Sequence, residues 1–174
     1  MAAPEVVNFR PVADVLPLER RDFPVQDKTL TDPSNPVVLV DGEWMTLNGS
    51  EKLIRAASIT SVGTPAAVLC WPLWAERGRY DVQAMADRKT PIIWMGAWEF
   101  ETLIFDPAAT VVSGAPITSI LQGVKVATIT IGTRNFVGLV GHGGSGDTDR
   151  VVGYVTRLHT VNGGFLRIRG GFGF

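Results

Sequence analysis

The stretch VGLVGHGGSGDTDRVVGYV, residues 137–155, admits two readings that lead to different folds. Gly141, Gly143 and Gly146 spell the glycine pattern of a dinucleotide loop, which needs a strand before it and a helix after it. The residues after the glycines are RVVGYVT, 150–156, a β-branched run that reads as strand. The phosphate-loop pattern fails at its charged position, because Asp147 stands where a lysine is needed and would repel a phosphate. The serine-nucleophile turn fails as well, since Ser145 lacks the closing glycine and a helix behind it. Asp147 and Asp149 carry the charge for calcium, but the other oxygen ligands and the closing glutamate are missing. The glycines and polar residues therefore predict a mobile hairpin loop between two strands.

Working outward, the chain from Val37 onward is punctuated like a β-protein. Asp41-Gly42 in VVLVDGEWMTLN separates two apolar runs, a strong hairpin signal. Further strands are expected at 52–57, 66–71, 91–95, 97–105, 125–131, 135–140, 151–156 and 164–169. VKVATITI (124–131) and FLRI (165–168) alternate as half-buried strands do. Turn signals recur every eight to twelve residues, the spacing of a barrel or sandwich. One or two helical turns are expected in 76–89 and another in 117–123. The fold class read from this pattern is mainly β, a single β-barrel or β-sandwich domain over residues 37–174.

Residues 1–36 differ from the rest. Six of the eleven prolines fall there, at Pro4, Pro11, Pro17, Pro24, Pro33 and Pro36. Prolines at this spacing interrupt ladders and favour an extended backbone. Val6, Val7, Phe9, Val12, Val15, Leu16, Leu18, Phe23 and Val25 make the segment too apolar for an ordinary solvated linker. The expectation is an extended N-terminal arm lying on another surface, with Val6, Val7, Phe9, Val12, Leu16, Leu18 and Phe23 as its contacts. The Gly-rich tail GGFGF (170–174) offers Phe172 and Phe174 as a second extremity.

Composition narrows the function classes. The 174 residues give room for one sizeable core, and a net charge of −1 argues against nucleic acid as the main partner. Charged residues at 19% and hydrophobics at 45% favour burial against other subunits. Cys70 stands alone, which excludes an internal disulfide and a cysteine-rich zinc site. The opening MAAPEVVNFRPVADV has acids and prolines where a secretory signal needs an apolar core. No run reaches the length of a membrane span, so a soluble protein made in a reducing compartment is expected.

The residue types that carry catalysis do not assemble into a known pattern. His142 and His159 have no second ligand at metal spacing. Glu99 and Glu101 alternate on one strand face, and the expectation is a solvent- or partner-facing edge opposite Trp98 and Phe100. Trp44, Trp71, Trp74, Trp94 and Trp98 all lie between residues 44 and 98, and read as core plus interface rather than a stacking platform. AERGRYD (75–81) groups Arg77, Arg79 and Asp81 beside Trp74 as interface candidates. No catalytic, cofactor-binding or metal residue is assigned, and the chain is read as no enzyme.

With VVSGAPITSI, FVGLV and RVVGYVTRLHTVNGGFLRIRG in the C-terminal third, the chain resembles small β-rich proteins that decorate or cement tailed-bacteriophage capsids. The order of arm, DGEW turn, WAERGRYDVQA and V-G-Y-V is similar as well, over about residues 37–170. The resemblance implies a structural virion protein that bridges and stabilises capsid subunits. Its partners would be the major capsid protein and itself, as a trimer, with no nucleic acid, membrane or cofactor. It would sit on the capsid exterior after synthesis in the bacterial host cytoplasm. A tail or collar β-protein and a carbohydrate-binding module using the tryptophans are the alternative readings.

Overall fold

The structure is a computed structural model and describes residues 9–12, 19–25, 39–56, 70–72, 89–110 and 114–172. Among these residues the chain is mainly β, with one turn of 3-10 helix at His159–Val161. The strands are β1 (Phe9–Pro11), β2 (Glu19–Pro24), β3 (Trp44–Leu47), β4 (Leu53–Arg55), β5 (Trp71–Pro72) and β6 (Lys89–Thr102). After these come β7 (Gly123–Ile131), β8 (Arg134–Gly141), β9 (Gly153–Arg157) and β10 (Leu166–Phe172). A large sheet of order β1-β6-β10-β9-β7-β8, with β2 also on β6, curls into a half barrel. A small sheet of order β4-β3-β5 packs against it through Trp44, whose ring meets Trp98 edge-on at 6.0 Å.

Strand alternation sorts the side chains. On β6, Trp98 and Phe100 point inward, stacked at 4.6 Å, while Glu99 and Glu101 point to the other face. Phe9, Leu166 and Ile168 join the inward set, with Val124, Val126, Val137, Leu139 and Val155. β7 and β8 are buried on both faces, because Ala127, Ile129, Phe136 and Val140 form another cluster with Val40 and Ile104. A third cluster gathers Val25, Leu39, Met45, Leu53, Trp71 and Ile92 around the small sheet.

Several expectations change here. The strands expected at 91–95 and 97–105 are one fourteen-residue strand, β6, because pairing continues through Gly96. Pieces of the proline-rich arm join the sheet: β1 pairs with Phe100–Thr102 and β2 with the first half of β6. Proline ends each of these short strands, so the missing N–H falls where the ladder stops. Asp41-Gly42 does form a turn, with Gly42 at φ 90. Leu39 and Val40 before it enter two different clusters instead of one ladder, and β3 pairs with β4 and β5. The hairpin signal that operates is Asn48, whose Oδ1 accepts from the N–H of Ser50 and of Lys52.

Residues 117–122 are not helical. The Gln122 side chain folds back to accept from Thr118 N and to donate to Pro116 O, and Leu121 has φ 65. Of the helix expected at 76–89, only Lys89 is described, and it opens β6. The segment after β8 is no hairpin loop either: β8 pairs with β7, and the chain crosses over β7 to reach β9 on its other side. The free edge of β8 is covered by residues 104–106 and 115, through Leu139 N to Ile104 O and Ala115 N to Gly141 O.

Candidate functional site

Two charged constellations organise the surface that the fold presents. The first is centred on Glu101. β1 and β10 flank β6 with Arg10 and Arg167 directly opposite Glu101, so three long side chains meet on one face. Arg167 donates from Nε and Nη2 to Glu101 Oε1 at 2.9 and 2.7 Å, and Asn162 Nδ2 donates to the same oxygen at 2.8 Å. Arg10 Nε donates to Oε2, and its guanidinium stacks over the Phe165 ring, 4.4 Å from the centroid. Burial opposes ionisation of this carboxyl and is the largest single influence. The donors of Asn162, Arg167 and Arg10 together outweigh it and hold the pKa down to about 2. Glu99, next on this face, accepts from Thr156 Oγ1 at 2.7 Å. β6 is an interior strand, so the two glutamates do not line the edge expected from sequence.

The second constellation is the glycine-rich crossover. Lys125 lies on the side of β7 shared by Ala127 and Ile129, with its side chain 1% exposed. Its ammonium sits 2.6 Å from Asp147 and 2.8 Å from Asp149, so a lysine fills the place weighed for calcium. Asp147 also accepts from the N–H of Gly143 and of Asp149. His142 accepts from Gly144 N–H at Nδ1, which leaves Nε2 to donate to Asp149 O at 3.0 Å. Burial disfavours the charged forms most, yet Lys125 and the amides hold Asp147 at about 2, and the two aspartates hold Lys125 above its ordinary value. The loop is tied down rather than open. No signal local to residues 141–149 reveals this, because the partner lies on a strand sixteen or more residues earlier.

The structure separates the residues singled out from sequence. Phe9 is 3% exposed and packs on Phe100 at 4.5 Å, inside this chain's own core. Val12 is half-buried and its N–H donates to Glu99 O. Phe23 is half-buried against the cluster around Met45 and Leu53. Phe172 closes β10 opposite Gly96. Val6, Val7, Leu16, Leu18, Trp74, Arg77, Arg79, Asp81 and Phe174 lie outside the described residues. Trp44 and Trp98 are fully buried and Trp71 is 7% exposed, so these three rings belong to the core. Cys70 is buried, which pushes its thiol up to about 12 despite the charge of Arg150.

Among the described residues no three His, Cys, Asp or Glu side chains converge as a metal site would require, and no helix is long and apolar enough to cross a membrane. No protein-family model, curated protein or solved structure matches the chain.

Proposed function

We propose that this protein is a structural, non-catalytic virion component that decorates a tailed-bacteriophage capsid and stabilises it by bridging capsid subunits. The observation that supports this reading most is the Glu101 hub. One buried carboxylate, Glu101, ties together residues 10, 162 and 167, each 61 to 91 positions from it in sequence. Charged groups used in this way brace a sheet; they are neutralised by fixed partners and are poorly placed to exchange protons with a substrate. The Lys125 knot does the same for the crossover. A stiff half barrel with locked loops suits a protein whose task is to hold neighbours in register.

In this reading the capsid exterior is the place of action, the major capsid protein the principal partner, and self-association as a trimer the assembly mode. Phe9 and Val25 serve the protein's own core, so neither is a partner contact. Mass spectrometry of virions from the phage that encodes this chain tests the proposal. The chain should be present at a fixed, simple ratio to the major capsid protein and remain with heads after heads and tails are separated. Absence from the particle, or recovery only with tails, contradicts it.

A further inference from the structure

Exposed large apolar side chains are few among the described residues, and they are not scattered. Ile120 (60% exposed), Leu121 (74%), Tyr154 (53%) and Val161 (65%) lie on or beside β9; only Ile131 lies elsewhere, at the β7–β8 turn. Leu121 N–H donates to Val155 O and Val155 N–H to Gln122 O, which clamps the 116–122 loop along β9. Gln122 braces the same loop from within, through Thr118 N, Ser119 N and Pro116 O. Leu121 has φ 65, a region that glycine or asparagine enters readily and leucine avoids. A loop that only connected strands would be served better by glycine there. Instead a strained position on a rigid loop holds the most exposed large apolar side chain outward.

The surroundings indicate what meets it. Arg169 stands directly opposite Tyr154 across the ladder, and Arg157 donates to Val161 O at 3.4 Å. Among the described side chains, Arg10, Lys52, Arg134, Arg150, Arg157 and Arg169 are exposed, against Glu51 alone of the acids. Of the other described acids, Glu43, Glu101 and Asp106 are buried and Asp147 and Asp149 turn to Lys125. A second copy presenting the same surface would set arginine against arginine, which is unfavourable.

We infer that Ile120, Leu121 and Tyr154 form an apolar anchor, rimmed by Arg157 and Arg169, that docks into an apolar socket bordered by carboxylates on a different protein. This rests on the function proposed above, and the different protein is then the capsid subunit. The loop is the contact and the arginines set orientation and rate of encounter.

The test measures binding of the full-length protein to empty shells of the major capsid protein of the same phage, at low and high salt. Leu121→Gly should keep or raise the melting temperature, since it relieves the backbone, yet weaken binding by about tenfold or more. Arg157→Glu with Arg169→Glu should weaken binding and flatten its salt dependence. If the wild type binds and both variants bind equally well, the docking surface is overturned while the capsid reading stands. If the wild type does not bind shells at all, both fall. If Leu121→Gly instead abolishes self-association seen by sedimentation, while shell binding persists, the loop is a self-contact and the inference is overturned.

Discussion

The indole of Trp98 occupies the space that a side chain at Gly170 would need. The two residues face each other across the β6–β10 ladder, and a methyl group on Gly170 would collide with the ring and stand 2.5 Å from Val152 O. Gly153, on the next strand, lies beside the same ring, whose Cη2 is 3.3 Å from where its Cβ would be. These two glycines leave room for a fully buried tryptophan inside a curled sheet.

Gly170→Ala should therefore destabilise the protein by about 2–3 kcal/mol, because neither the ring nor the backbone carbonyl can retreat cheaply. Gly146→Ala, in the crossover with open space around it, should change stability by less than about 0.5 kcal/mol. Chemical denaturation of the two variants side by side checks the contrast.

Acid should loosen the fold in a defined window. The carboxyls of Glu101 and Asp147 titrate lower in the folded protein, at about 2, than at their ordinary values of 4.5 and 3.8. Their contribution is thus complete above about pH 5 and is lost as the pH falls towards 2, on the order of 3 kcal/mol for each. Glu101→Gln should cost about 2–3 kcal/mol at neutral pH and leave a shallower loss of stability below pH 5. Melting temperatures from pH 7 to pH 2 measure both effects.

Lys125→Met removes the cation that Asp147 and Asp149 enclose. It should destabilise the protein by about 3 kcal/mol, since two largely buried carboxylates lose their partner. Hydrogen exchange at the amides of Gly143, Gly144 and Asp149 should quicken. Adding Asp147→Asn and Asp149→Asn to Lys125→Met should restore part of the stability, because none of the three positions then holds a buried charge.

Residues 124–131 and 135–140 were legible as strands because each alternates or runs apolar between glycine turns, and the mainly β fold followed from them. Non-local pairing was not legible. Phe9-Arg10 looks like a fragment of a loose arm until Thr102 and Glu101 stand opposite, when one side chain enters the core and the other meets a carboxylate. Glu101 could be seen to share a strand face with Glu99, but its partners lie 61 and more residues away. Leu121 carried a helical expectation because leucine and glutamine favour helix, and its left-handed backbone is imposed by bonds to Val155. The apolar residues Phe9, Phe23 and Val25 were a true signal in the arm; what they could not say was whose core they fill.

The arm provides its own test. Removing residues 1–30 takes away β1, β2, Phe9 and Val25, and leaves Glu101 without Arg10. The truncated chain should unfold at a much lower temperature, or fail to fold, and Phe9→Ala alone should cost about 3–5 kcal/mol. A truncated domain that melted as cooperatively as the full chain would show that β1 and β2 are dispensable to it.

The proposed function is stabilisation of a capsid shell. Its most direct measurement is the temperature at which empty shells of the same phage's major capsid protein come apart, with and without saturating full-length protein. Added protein should raise the disruption temperature, with the rise levelling off at a fixed number of copies per capsid subunit, as expected when ligand binds the intact state alone. A disruption temperature unchanged by excess protein, with no co-sedimentation, would contradict it.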